Sequence, residues 1–165
     1  MALAIGEKAP DFTLKQKTDE DLISVTLSEH LGKRPIVLLF FPLAFTRVCT
    51  QELCTVSHDF EAYAKWDAVV YGISTDSPFS QHAWAKEHGI TVPLLSDFNR
   101  KVAKAYGVLY LELLGFRGIM KRSAFVINKQ GRIAYSWEST SPHRLPDFDT
   151  LKEALGSASQ ETVSV

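Results

Sequence analysis

Cysteine is scarce in this sequence: Cys49 and Cys54 are the only two among 165 residues. Two thiols cannot build the disulfide framework of a small secreted scaffold, and in a reducing compartment such a pair is catalytic or simply buried. The pair is separated by four residues, so the closely spaced motif of a disulfide oxidoreductase is missing. His30, His58, His82, His88 and His143 are scattered, and none falls in a ligand-like cluster with the cysteines. Long apolar runs are missing as well: nothing approaches the ~20 residues of a membrane span. The start meets Glu7 and Lys8 too early for the apolar core of a secretory signal, so the expected location is cytoplasmic. Charge of one sign is not in excess. With 18 Lys plus Arg against 19 Asp plus Glu, the net charge of −1 offers no attraction for nucleic acid or an anionic membrane surface. There is no internal repeat and no low-complexity block.

What is present is 45% hydrophobic content in a chain of one-domain length. The expected domain runs over 1–156, and the Ser-, Ala- and Thr-rich stretch 157–165 is expected to be a flexible tail. The pattern predicts a hairpin near 11–27, a buried strand at 36–41, a helix from Cys49 to Lys65 and a second buried strand at 68–74. A helix follows over 78–88, opened by Ser77-Pro78 and closed by Gly89. A strand at 92–95, a helix near 99–106, a strand pair at 124–127 and 133–137 and a last helix at 146–155 complete the chain. Alternating strands and helices followed by a hairpin and helix describe an α/β sandwich. The segment 109–121 is too apolar for a solvated loop, with Leu111, Leu113, Leu114, Phe116 and Ile119, and is expected to cover a site or join a subunit contact.

The richest stretch in chemistry is Pro42-Leu43-Ala44-Phe45-Thr46-Arg47-Val48-Cys49. Pro42 ends the apolar run, and Leu53, Val56, Phe60 and Tyr63 follow Cys49 at helical spacing, so Cys49 lies near the positive end of a helix. Unpaired N–H groups and the helix dipole there favour an anion, and the thiolate is the nucleophilic form of cysteine. Taken alone, Cys49 is also readable as a small buried hydrophobe. Thr46 reads as an N-cap, with a hydroxyl in reach of the helix-start backbone or a thiolate.

The arrangement Pro42, three residues, Thr46, two residues, Cys49 resembles the active-site motif of the peroxiredoxins, thiol peroxidases built on a thioredoxin-like fold. Gly6-Glu7-Lys8-Ala9-Pro10-Asp11-Phe12, Leu94-Leu95-Ser96-Asp97, Ala105-Tyr106-Gly107-Val108 and Arg122-Ser123-Ala124-Phe125-Val126-Ile127 resemble further segments of that family in the same order. The resemblance implies a central mixed sheet flanked by helices with an N-terminal β-hairpin extension. It implies that Cys49 reduces hydrogen peroxide or an alkyl hydroperoxide and becomes a sulfenic acid, without metal, flavin or haem. Pro42 would shield the sulfur, the N–H groups of Val48 and Cys49 would face the peroxide, and Arg122 would favour the thiolate and hold the substrate. Lys121 and Arg117 are nearby basic alternatives to Arg122. Glu52 would position the arginine, against the plainer reading of a solvated first-turn carboxylate. Arg47 departs from the small residue or proline common at its position, and reads most simply as solvent-facing.

Cys54 matches the resolving cysteine of the branch called bacterioferritin-comigratory protein or peroxiredoxin Q, which implies an intramolecular disulfide with Cys49. Positions five apart on an intact helix place their Cα atoms ~8.6 Å apart, whereas a disulfide needs less than about 7 Å, so resolution requires unwinding. The wording around Phe41 to Thr46 is closer to the alkyl-hydroperoxide-reductase E branch, which works with one cysteine and an external thiol. A thioredoxin-fold peroxide sensor without turnover is the non-enzymatic alternative. The partners implied are a peroxide, thioredoxin or another thiol reductant, and a second copy in a homodimer, with a monomer as the alternative.

Overall fold

A computed structural model describes residues 1–160. The hairpin is β1 (Thr13–Lys17) and β2 (Leu22–Thr26). The central strands are β3 (Ile36–Phe40), β4 (Val69–Ser74), β5 (Leu94–Ser96), β6 (Ser123–Ile127) and β7 (Ile133–Glu138). All seven join one sheet in the order β2-β1-β5-β4-β3-β6-β7. The pairs β3/β4 and β4/β5 run parallel, while β6 lies antiparallel to both β3 and β7. This is the mixed sheet with an N-terminal hairpin that the sequence implies.

β3 shows why it sits at the centre. Its five residues are all buried, as expected of a strand covered on both faces. Ile36, Leu38 and Phe40 enter one apolar cluster with Tyr106, Val108 and Phe125, whereas Val37 and Leu39 enter another with Leu53, Trp84 and Leu155. The period-2 alternation of the strand therefore feeds both layers at once.

The helices are α1 (Arg47–His58), α2 (Phe60–Ala64), α3 (Pro78–His88), α4 (Lys101–Ala105) and α5 (Phe148–Gln160). Ser77 accepts from the Ser80 N–H and Gly89 takes the left-handed conformation at φ 68°, so α3 begins and ends where its sequence signals stand. Three expectations change. The helix expected to open at Cys49 starts two residues earlier, at Arg47. It also breaks at Asp59 (φ −99°, ψ 26°), whose carboxylate is taken by Lys152 of α5, so residues 49–65 form two helices. The last helix continues past 155 to Gln160, because Gly156 lies against Trp66 and Ala158 is buried in the core. Residues 157–160 are therefore helix rather than tail, and 161–165 lie outside the described residues.

The segment 109–121 is a short flap, tied by bridges between Leu109 and Met120 and between Leu113 and Phe116. Ile119 and Met120 are buried at its base, while Leu111 is 94% exposed at its tip.

Candidate active site

Two consequences of the sheet bring the site together. The loop 41–46 leaves the C-terminal end of β3, and the antiparallel register of Phe40 with Ser123 sets Arg122, just before β6, beside that end. Helix α1 then starts with Thr46 at the N-cap, which puts Cys49 in its first turn. The N–H groups of Arg47, Val48 and Cys49 have no acceptor within the helix, as at any helix start.

Cys49 is 1% exposed, and Arg122 is equally buried. The Arg122 Nη2 donates to Cys49 Sγ at 3.2 Å and its Nη1 to Glu52 Oε1 at 3.2 Å. The guanidinium also donates from Nε at 3.3 Å and from Nη2 at 3.0 Å to the Pro142 carbonyl. A planar fork held on three sides has little freedom left. Burial opposes the charge of Arg122, yet Glu52 and Cys49 outweigh it and hold the guanidinium pKa above its usual value. Burial pushes the Glu52 carboxyl up to about 7 despite the attraction of Arg122, and its Oε2 has no hydrogen-bond partner among the described residues. A fixed cation beside sulfur at a helix N-terminus is a place for negative charge.

Of the residues singled out from sequence, Cys49, Glu52 and Arg122 form one connected group. Glu52 is fully buried and in the second turn, so the reading of a solvated first-turn carboxylate does not hold. Lys121 is directed elsewhere, toward Glu138 at 3.5 Å and the Tyr110 ring, and Arg117 is exposed in the flap. Thr46 makes no side-chain cap. Its hydroxyl donates to the Leu43 carbonyl at 2.7 Å instead, closing the loop on itself and leaving the oxygen lone pairs as acceptors. Pro42 is buried at the loop start and Arg47 is exposed. Cys54 is half-buried on α1, with its Sγ 3.6 Å from the His88 carbonyl of α3, and both cysteines are free.

Sequence reasoning missed the Pro142 carbonyl, because a backbone acceptor carries no side-chain signature. Trp84 is fully buried, packs at a tilt against Phe41 with ring centroids 5.2 Å apart, and donates from Nε1 to Thr50 Oγ1 at 3.0 Å. It therefore ties α3 to the helix that carries both cysteines. Among the described residues no group of three or more His, Cys, Asp and Glu side chains is arranged to hold a metal ion, and no helix is long and apolar enough to cross a membrane.

The AhpC/TSA family model matches residues 5–136. The chain is 36% identical over 139 residues to the chloroplastic 2-Cys peroxiredoxin BAS1 of Hordeum vulgare, covering 80% of this chain and 64% of that protein. It covers 51% of the corresponding protein of Spinacia oleracea, so it spans about half to just under two thirds of the length of these relatives. Alkyl hydroperoxide reductase E of Mycobacterium tuberculosis is 36% identical over 155 residues, covering 93% of this chain and 96% of that protein. Among solved structures, the peroxidoxin BcpB of M. tuberculosis matches with TM-score 0.80 and 32% identity over 93% of this chain and 96% of the other. The reduced 2-Cys peroxiredoxin of Plasmodium vivax matches with TM-score 0.82 and 25% identity over 92% of this chain and 80% of the other.

Proposed function

This chain belongs to the AhpC/TSA family, and we propose that it is a thiol-dependent peroxidase that reduces hydrogen peroxide and organic hydroperoxides with Cys49. The observation that carries the reading is the buried Cys49 sulfur in the first turn of α1 with a guanidinium nitrogen 3.2 Å away. The Cys49 thiolate attacks one peroxide oxygen and the O–O bond breaks. The leaving oxygen takes a proton to become water or an alcohol, and Cys49 becomes a sulfenic acid. The Val48 and Cys49 N–H groups and Arg122 stabilise the negative charge that moves onto the departing oxygen, and Thr46 offers its lone pairs to the peroxide O–H. Glu52 holds Arg122, and Pro42 keeps water from the sulfur. This chemistry needs sulfur alone, without metal, flavin or haem.

In the finer reading, Cys54 attacks the sulfenic sulfur, water leaves, and an intramolecular disulfide forms that thioredoxin or another thiol reduces. The setting is the reducing cytoplasm, where such donors act. A second reading, reduction of the sulfenic acid by an external thiol, is favoured by one observation: Glu52, on the helix between the two cysteines, is held in a fully buried ion pair with Arg122 that opposes the unwinding Cys54 needs. The protein works as a homodimer in this proposal, supported by the exposed apolar tip of the 109–121 flap.

Stopped-flow peroxide reduction by wild type, Cys49→Ser and Cys54→Ser, with and without a thioredoxin system, tests the reading. The expected result is fast reaction lost only in Cys49→Ser, with turnover when the donor is present. Fast reaction by Cys49→Ser would overturn it, and a single oxidation without turnover under any thiol donor would mark a sensor. Intact mass after one equivalent of peroxide separates the two fates: loss of two hydrogens for the disulfide, gain of one oxygen for the external-thiol route.

A further inference from the structure

We propose that Asp76 is a positioning residue of the peroxide-reacting site, clamping the loop that carries Cys49; this rests on the reading of Cys49 as the reacting thiol. The loop 41–46 is not a relaxed connection. Phe45 stands at φ 66°, in the left-handed region where a side chain with Cβ is disfavoured. The bond from Thr46 Oγ1 to the Leu43 carbonyl closes the loop but does not tie it to the sheet. Asp76 supplies a tie: the Ala44 N–H donates to Asp76 Oδ2 at 2.9 Å.

Asp76 is itself held firmly. The same Oδ2 accepts from Ser74 Oγ at 2.7 Å. Ser74 Oγ accepts in turn from Gln81 Nε2 at 2.8 Å, and Gln81 Nε2 also donates to the Leu95 carbonyl at 2.9 Å. Ser74 and Gln81 are buried, at 0% and 1% exposure. The Asp76 backbone N–H donates to Ser74 Oγ at 3.3 Å and its carbonyl accepts from Ser96 Oγ at 2.6 Å. The clamp is thus fixed by the ends of β4 and β5 and by α3. Topology explains its reach: β3 and β4 are parallel with Phe40 beside Ile73, so the residues leaving the two strands are neighbours.

The consequence is selective. Alkylation by iodoacetamide requires an accessible thiolate and little else. Peroxide reduction requires the sulfur, the O–O axis and the helix-start N–H groups in one alignment, and a displacement of about 1 Å in such an arrangement can cost about a hundredfold in rate. Loosening Ala44, five residues before Cys49, should therefore slow the peroxide reaction and spare alkylation.

The test uses the full chain with Asp76→Ala and Asp76→Asn, measuring second-order rates with hydrogen peroxide and with iodoacetamide. Asp76→Ala is expected to lower the peroxide rate by at least about tenfold and to leave alkylation within about twofold. Asp76→Asn keeps an acceptor oxygen for the Ala44 N–H and is expected to recover most of the loss. If Asp76→Ala does not fold, Ser74→Ala removes the donor that orients the carboxylate and is expected to show a smaller loss of the same selectivity. A wild-type peroxide rate in whichever of these alanine variants folds overturns the proposal, as does a parallel fall of both reactions. A wild-type protein that does not reduce peroxide removes the underlying reading instead, so the two failures are distinct.

Discussion

Arg122 can only be read together with Glu52. A carboxylate buried this completely would be a liability alone, and its pairing with a guanidinium is what permits it. The pair makes a pH prediction with a definite sign. The Glu52 carboxyl titrates near 7 in the folded protein against an ordinary value of 4.5, so between these values the folded state holds a proton that the unfolded state has released. Stability contributed by this group therefore falls as pH rises from about 4.5 to about 7 and is level outside that window. Glu52→Gln removes the titration. The wild-type melting temperature minus that of Glu52→Gln is expected to decline across this window, measured by thermal unfolding at its two ends. A constant difference would contradict a buried, titrating Glu52.

Helix α1 carries two opposed demands. Its first turn must stay formed to keep the N–H groups and Cys49 aligned, yet the disulfide reading needs the turns up to Cys54 to unwind. Two ties resist that unwinding: the Glu52–Arg122 pair and the bond from Trp84 Nε1 to Thr50 Oγ1. Unwinding takes away the hydroxyl partner of a buried indole, so Trp84 reports it. In a background with Trp66→Phe and Trp137→Phe, peroxide is expected to give a second, slower change in Trp84 emission that Cys54→Ser lacks. Superimposed traces for the two proteins would place resolution outside the chain. Asp59 limits how far the opening can spread, because α1 already ends there and Lys152 holds its carboxylate.

For the whole molecule, the sheet buries apolar residues in two layers, while the flap holds several of the exposed large apolar side chains. Leu111, Leu114 and Phe116 of the 109–121 flap are 94%, 79% and 60% exposed. Apolar side chains grouped in this way are unfavourable in water and are stabilised by burial against a second surface. A homodimer that uses the flap is expected to weaken on Leu111→Ser, with the fold retained because the side chain touches little within the chain. Sedimentation equilibrium across a dilution series measures it; equal association by wild type and variant would remove the flap from the contact.

The sequence alone determined the local features. The buried run at 36–41, the capped helix at 78–88 and a cysteine close after the strand at a helix start were all legible, because each depends on neighbours within a few residues. The motif from Pro42 to Cys49, with the remote segments in order, also pointed to the family. Other features depended on partners far along the chain. The break at Asp59 lies where Lys152 of α5 meets its carboxylate, and the extension of α5 through Gln160 packs on Trp66 and the core around Ala158. Thr46 spends its hydroxyl proton on Leu43, a choice set by the loop conformation rather than by residue type. The resemblance set Arg122 beside Cys49, 73 residues away, and the tertiary structure brings the two within 3.2 Å; it alone added the Pro142 carbonyl behind the guanidinium and set Asp76 against Ala44. Parallel and antiparallel pairing about β3 brings these strand ends to one edge of the sheet, and spacing along a chain cannot specify that adjacency.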